Sequence, residues 1–124
     1  MLNYFKAPKK MKNAQLIQQP PAQEIAQEIA QEIAAQLGGA RRLKIMTGAD
    51  LYSDNENRTL IIRTRVRGAK ANYIRIRLTS MDLYDMEFFK GHGGSLKPIA
   101  EFSGIYNDQL KGIFERTTGL RLSL

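Results

Sequence analysis

The stretch TLIIRTRVRGAKANYIRIRLT, residues 59–79, decides the fold class of this chain. Apolar and basic side chains alternate twice within it, first over 59–67 and again over 73–79. A period of two is the pattern of a β-strand that buries one face. The side chains predicted to face the core are Ile62, Thr64, Val66, Ile74, Ile76 and Leu78. The pattern therefore predicts two antiparallel strands joined by residues 68–72, with basic residues on the outer face.

Parity restricts how these two strands can pair. If both apolar sets share one face, opposed residues must both be odd-numbered or both be even-numbered. The predicted pairs are Arg67 with Tyr73, Arg65 with Arg75, and Arg63 with Arg77. Like charges directly opposed destabilise a sheet by roughly a few tenths of a kcal/mol per pair. Seven basic residues and no acidic one occur from Arg58 to Arg77, so a bound anion would stabilise this face.

The next segment, LYDMEFFK at 83–90, offers two of these arginines another partner. It alternates as well, and the residues predicted to point inward are Tyr84, Met86 and Phe88. If this strand pairs with the preceding one, the expected neighbours on the outer face are Asp85 and Glu87 with Arg75 and Arg77. The functional arginines are therefore expected on the 59–67 strand, where the residues left without partners are Arg63, Arg65 and Arg67.

Further strands are predicted on either side of this central sheet. A short strand is expected at 42–47, followed by a turn-rich loop at 50–58. Residues 91–94 are rich in glycine and predict a flexible loop. Another strand is expected at 96–102, and Pro98 indicates an edge strand or a bulge because proline cannot donate to the ladder.

The C-terminal part predicts a helix and a packed tail. The helix is expected to begin near Asn107 or Asp108 and to end at Gly119. Its predicted buried stripe is Leu110, Ile113 and Phe114. The alternating residues Leu120, Leu122 and Leu124 predict an extended segment on the sheet. The expected fold class is α+β, with a single antiparallel sheet of about four strands and an N-terminal and a C-terminal helix packed on its apolar face.

The sequence predicts three segments along the chain. Residues 1–20 form a basic arm that is expected to be flexible, and its lysines are Lys6, Lys9, Lys10 and Lys12. Residues 21–37 contain the repeat AQEI-AQEI-AQEI-AAQL, whose residue types mostly favour a helix. Pro21 suits the first helical turn, and Gly38 suits the end. Residues 38–124 then form the α+β domain.

The four-residue repeat does not match the helical period of 3.6. Each step overshoots a full turn by about 40°, so the apolar residues form a slanted stripe composed of Ile25, Ile29, Ile33 and Leu37. Such a stripe predicts either a helix docked on the sheet or a self-associating helix that makes a homo-oligomer. Three identical quartets are also typical of an expanded coding repeat, in which case the repeat number carries no function.

Composition excludes several function classes. The 124 residues suit one domain, and the 43% hydrophobic fraction is that of a folded protein. The absence of cysteine excludes disulfides, a thiolate nucleophile and a cysteine metal site. No apolar run is long enough to cross about 30 Å of hydrocarbon, so no membrane helix is expected. The net charge of +7 indicates an acidic partner.

Nothing in the sequence predicts catalysis. The single histidine, His92, has no evident nucleophile or orienting carboxylate nearby and is interpreted as an exposed loop residue. The glycines around it lack the Lys-Ser/Thr ending of a phosphate-binding P-loop. A metal site at Asp82, Asp85 and Glu87 is disfavoured because arginines are the nearer partners of the last two. The chain is predicted not to be an enzyme and to need no cofactor or metal.

The domain segment resembles a group of small uncharacterised proteins encoded by bacteriophages, prophages and related mobile elements. The resemblance covers roughly residues 35–124. The motifs that carry it are QLGG (36–39), MTGAD (46–50), LYDMEFF (83–89), YNDQLKGIFERTTGL (106–120) and the final Ser123-Leu124. It implies a product made in a bacterial cytoplasm, and small proteins from that source are often non-enzymatic binders or inhibitors of host machinery.

Three functions follow from these patterns. In the first, an arginine-rich sheet face binds nucleic acid or a nucleoprotein, assisted by the basic arm. The residues predicted to make this contact are Arg63, Arg65, Arg67, Lys70, Tyr73, Arg75 and Arg77. Tyr73 is the preferred stacking platform among Tyr52, Tyr73, Tyr84 and Tyr106 because it shares the arginine face. The alternatives are a counter-defence inhibitor of an acidic host protein and an oligomer that sequesters nucleotides.

Overall fold

The computed structural model describes residues 21–54, 58–92 and 94–122. The predicted arm with Lys6, Lys9, Lys10 and Lys12 lies outside these ranges, as do Gly93 and residues 123–124. The helices are α1 (Pro21–Gln36), α2 (Ala40–Thr47) and α3 (Leu110–Thr118), the last preceded by a 3-10 turn at Asn107–Gln109. The strands are β1 (Asp50–Asp54), β2 (Thr59–Arg63), β3 (Tyr73–Leu78), β4 (Tyr84–His92) and β5 (Ser95–Ile105).

The five strands form one antiparallel sheet in the order β1-β2-β3-β4-β5, so each strand pairs with its neighbour in sequence. The predicted α+β class with a single antiparallel sheet is confirmed, with five strands where about four were expected. The strand that was not predicted is β1, which occupies part of the predicted 50–58 loop. It pairs with β2 through Leu51 opposite Ile62 and Tyr52 opposite Ile61.

The predicted strand at 42–47 is wrong, because these residues belong to helix α2. Leu43 and Thr47 are both fully buried and lie four residues apart, which is a helical spacing. Ile45, which strand alternation would place beside Leu43, is 70% exposed. The Thr47 hydroxyl donates to the Leu43 carbonyl at 2.6 Å, and Gly48 ends the helix in the left-handed region.

The predicted pairing of β2 with β3 has the right parity and the wrong register. The observed pairs are Arg63 with Tyr73, Ile61 with Arg75, and Thr59 with Arg77. The predicted 59–67 strand is too long, since β2 ends at Arg63. On the β2 side, each arginine of β3 is therefore opposed by a neutral residue, and the repulsion expected from opposed arginines is avoided.

The predictions for β3 and β4 are confirmed. Arg75 lies opposite Glu87, and Arg77 lies opposite Asp85. The inward side chains of these two strands are buried: Ile74, Ile76, Tyr84, Met86 and Phe88. Burial raises the pKa of the Tyr84 hydroxyl, and the carboxylates of Glu32 and Asp82 raise it further. The phenol is therefore neutral at physiological pH.

The β4–β5 hairpin corrects one prediction and confirms another. The predicted loop at 91–94 is too long, because β4 continues to His92, which pairs with Ser95. His92 is thus an exposed strand residue and not a loop residue. Pro98 lies on an edge strand as predicted, and the register shifts where Phe88 pairs with Ala100 and Phe89 pairs with Pro98.

The C-terminal helix begins later than predicted. β5 runs through Ile105, and Tyr106 precedes the 3-10 turn. The Tyr106 amide donates to Gln109 Oε1 at 3.0 Å, and the Gln109 amide donates to the Tyr106 carbonyl at 2.9 Å. These reciprocal bonds satisfy the start of the turn. Gly119 ends α3 in the left-handed region, as predicted.

One hydrophobic cluster contains side chains from the sheet and from all three helices. Helix α1 contacts β1 and β2, and its Ile33 and Leu37 are fully buried while Ile29 is partly buried. The side chain of Ile25 lies outside the described part of the chain. From the C-terminal segment, the buried members are Leu110, Ile113, Phe114, Leu120 and Leu122. Two of the four stripe residues are therefore occupied in the protein's own core.

No helix among the described residues is long and apolar enough to cross a membrane.

Candidate functional site

A basic cleft forms where the chain leaves the sheet after β2. Residues 64–72 connect β2 to β3, and this connection bounds an open cleft of about 570 Å³ together with the ends of β1 and β4. The cationic residues on its wall are Arg63, Arg65, Arg67 and Lys90, with His92 beside them. Asp50 is the carboxylate that lines it. We call this feature the basic cleft.

Hydrogen bonds hold the 64–72 connection against the sheet. The Thr64 amide donates to the Asn72 carbonyl at 3.0 Å, and the Asn72 amide donates to the Phe89 carbonyl at 2.9 Å. The Asn72 side chain donates to the Gly91 carbonyl at 3.0 Å and accepts from the Gly91 amide at 3.1 Å. Lys90 Nζ donates to the Ala69 carbonyl. The cleft wall is therefore fixed to β4 at several points along its length.

Arg63 and Arg67 carry the available charge of the basic cleft. Both are exposed, and neither forms an ion pair within residues 21–54, 58–92 and 94–122. Arg65 donates from Nε to the Asp50 carboxylate at 3.1 Å and forms an ion pair with it. A guanidinium has five N–H donors, so Arg65 retains donors for a second anion. The Thr64 hydroxyl, on the same wall, is buried and has no hydrogen-bond partner in the described structure.

The arginines of β3 lie apart from the basic cleft. Arg77 Nη2 is 2.7 Å from Asp85 Oδ2, and Arg75 Nε is 3.7 Å from Glu87 Oε1. The prediction that these acids would neutralise part of the arginine face is confirmed. The predicted patch of seven residues is thus divided. Arg77 is hydrogen-bonded to Asp85, whereas Arg75 is only ion-paired with Glu87, since its Nε is buried without a hydrogen-bond partner in the described structure.

We expect these surface pairs to contribute little to stability. Arg77→Gln should lower the free energy of unfolding by at most about 1 kcal/mol, because the arginine side chain is half exposed and its pair is screened by solvent. Urea denaturation followed by circular dichroism measures the change. Arg63→Gln, which removes a charge that forms no ion pair with any described residue, is the matched control and should leave the free energy of unfolding unchanged. A loss above about 2 kcal/mol in Arg77→Gln would contradict the surface assignment.

The other two residues predicted to contact the ligand, Lys70 and Tyr73, do not line the basic cleft. Lys70 belongs to the 64–72 connection. Tyr73 shares the outer face with Arg63, as predicted, and its ring meets Phe89 edge-on at a centroid distance of 5.8 Å. Tyr84 lies in the core. Tyr52 is 50% exposed and lines the cleft, which Tyr73 does not, although Tyr73 lies opposite Arg63 in the sheet.

Sequence reasoning missed several cleft residues. Lys90, His92 and Asn72 line the same cleft as the arginines because β4 continues past Phe89, which pairs with the first residue of β3. The alternation of residues 83–90 predicted the strand but not its continuation to His92. Among the described residues, no group of three or more histidine, aspartate or glutamate side chains could hold a metal ion.

Comparisons with protein-family models, with curated proteins and with solved structures found no match to this chain.

Proposed function

We propose that this protein is a non-catalytic binder of nucleic acid, or of a nucleoprotein, and that the basic cleft is its contact surface. One observation carries the proposal: Arg63 and Arg67 are exposed without an ion pair in the described structure, on the wall of a cleft that also holds Arg65 and Lys90. Four cations in one concavity favour a ligand with several negative charges.

Phosphate is the anion that this cleft suits best. Guanidinium groups bind phosphate oxygens with paired, charge-assisted hydrogen bonds. Arg63 ends β2, and Arg65 and Arg67 follow it on the connection that lines the cleft, so the three guanidinium groups can contact neighbouring phosphates of one strand. The lysines at 6, 9, 10 and 12 would extend this footprint along the backbone.

The phage resemblance supplies the proposed context. A binder of this type would act in the cytoplasm of a bacterial host, where nucleic acid is accessible. The core cluster that joins α1 and α3 to the sheet supports packing of the N-terminal and C-terminal helices on its apolar face, which leaves the opposite, arginine-bearing face as the proposed contact surface.

The salt dependence of binding tests this function. The full chain, purified with nuclease and high salt, is titrated into a fluorescein-labelled 20-nucleotide strand from 50 to 300 mM NaCl. The four cations of the basic cleft alone predict a slope of log affinity against log salt of about −3, from about −0.7 per contact on a single strand, and contacts by the lysines at 6, 9, 10 and 12 would make it steeper. No change in anisotropy for single-stranded or duplex DNA or RNA at 50 mM NaCl would overturn the proposal.

A second candidate function is inhibition of a host protein, as a counter-defence factor does. The observation that favours it is the edge strand β5, where Leu96 is 37% and Ile99 is 44% exposed. Apolar side chains on a free strand edge suit addition of a strand from another protein. A host protein that copurifies after nuclease treatment, and is lost in Leu96→Lys, would support this function over nucleic-acid binding. The nucleotide-sequestering oligomer stays a third prediction.

A further inference from the structure

We infer that the basic cleft takes single-stranded nucleic acid in preference to duplex, with one base stacked on Tyr52. This inference rests on the proposed function and specifies the ligand of the same site. Its basis is one exposed aromatic ring in the same cleft as two arginines that form no ion pair with the residues that the structure describes.

Strand pairing places Tyr52 on the arginine side of the sheet. Asp50 lies opposite Arg63, and Tyr52 lies opposite Ile61, two positions further along both strands. Tyr52 and Arg63 are therefore diagonal neighbours on one face, within reach of long side chains. Because β1 is an edge strand, the ring lies where the cleft meets solvent.

The Tyr52 ring is available for stacking. It is 50% exposed, and it makes no ring contact with another aromatic side chain in the described part of the protein. Tyr73, the platform favoured by the sequence, differs because its ring is engaged edge-on by Phe89. A half-exposed aromatic on a polar cleft wall is the arrangement on which an unpaired base can stack.

The shape of the site favours a single strand. In a duplex the base faces are stacked on one another, and proteins reach the base edges by inserting a helix or a β-ribbon into a groove. Here the cations line a concave wall and flank an aromatic face. A single strand can place its phosphates on Arg63 and Arg67 and turn one base onto Tyr52.

The test compares Tyr52 variants on matched ligands. Wild type, Tyr52→Ala and Tyr52→Phe are titrated into a labelled 12-nucleotide strand, its duplex and a mononucleotide. We expect the wild type to bind the strand at least about tenfold more tightly than the duplex. Tyr52→Ala should lose about 10-fold to 100-fold in affinity for the strand, and Tyr52→Phe should keep it, because stacking needs the ring and not the hydroxyl.

Controls separate stacking from general effects. Tyr106→Ala removes another exposed tyrosine, 62% accessible and outside the cleft, and should leave affinity unchanged. A strand containing 2-aminopurine should be quenched by wild type and Tyr52→Phe but not by Tyr52→Ala. Thermal denaturation of Tyr52→Ala should match the wild type, which excludes unfolding as the cause of lost binding.

The outcomes of this test distinguish failure of the stacking inference from failure of the proposed nucleic-acid binding. If Tyr52→Ala binds as tightly as wild type while Arg63→Gln binds more weakly, stacking is refuted and the binding function stands. A preference for duplex, or equal affinity for the mononucleotide and the strand, also overturns the inference. If neither strand nor duplex binds, the proposed function fails and the inference fails with it.

Discussion

The double variant Arg63→Gln/Arg67→Gln should bind nucleic acid about 100-fold more weakly than wild type at 50 mM NaCl. Both guanidinium groups are exposed and lack an ion pair in the described structure, so their donors are available to phosphate. A hydrogen bond to a charged group contributes about 1.5–3 kcal/mol, which is about tenfold or more in affinity for each arginine. The salt slope should fall by about 1.4 units, from about 0.7 per lost contact. Fluorescence anisotropy across a salt series measures both quantities.

The control for this variant removes the same charge elsewhere. Arg75→Gln/Arg77→Gln lowers the net charge by two as well, but its arginines are paired with Glu87 and Asp85. We expect its affinity to stay within about threefold of wild type, with an unchanged salt slope. An equal loss in both double variants would mean that net charge, and not the basic cleft, determines binding.

The contrast between these arginine pairs shows what alternation can predict. A period of two assigns each residue of β3 and β4 to a face, and parity then limits which residues can be opposed. It cannot determine where a strand ends. β2 ends at Arg63, four residues before the end of the alternating pattern, so the register moves by four and the chain leaves the sheet. That early end forms the cleft.

Helix α2 and strand β1 were missed because short segments carry weak periodicity. In the sequence RLKIMT, Leu43 and Ile45 have the spacing of a strand, whereas Leu43 and Thr47 have the spacing of a helix. Thr47 is polar, so the sequence did not indicate that it is buried together with Leu43. β1 was hidden by the turn-forming residues in DLYSDNENR. Its identity as a strand depends on pairing with β2, which is a tertiary effect.

The positive charge of the site could be predicted from the sequence, whereas the cleft that these residues line could not. Alternation predicted Arg63, Arg65 and Arg67 to be outward residues without partners, and all three lie on the cleft wall. The prediction is wrong for Arg65, which pairs with Asp50 of the strand β1 that the sequence did not predict. Lys90, at the end of the predicted 83–90 strand, and Tyr52, in the predicted 50–58 loop, could not be associated with these arginines, because the pairing of β1 and the early end of β2 were not predicted. Asn72, which fixes the connection to Gly91, has no signature before the fold is known.

Gly91→Ala should destabilise the protein by about 1–3 kcal/mol, because the β4–β5 hairpin leaves no room for a side chain there. An added Cβ would overlap the Ser95 carbonyl oxygen, and it would lie 2.9 Å from the carbonyl carbon and 3.0 Å from Leu96 Cα. These are backbone atoms of the strand paired with Gly91, so relief requires the hairpin to separate. Overpacking of this kind costs about 1–3 kcal/mol, which lowers Tm by roughly 4–8 °C per kcal/mol in a domain of this size.

The same substitution should weaken binding, because Gly91 exchanges two hydrogen bonds with Asn72 on the cleft wall. Gly94→Ala is the matched control: it lies in the same hairpin with no heavy atom within 4 Å of the added Cβ, and should change neither Tm nor affinity. Thermal denaturation by circular dichroism measures stability, and anisotropy below the lower Tm measures binding.

A Gly91→Ala protein with wild-type Tm would mean that Gly91 does not pair with Leu96. A variant destabilised as expected but with wild-type affinity would mean that the Asn72–Gly91 contact does not position the arginines.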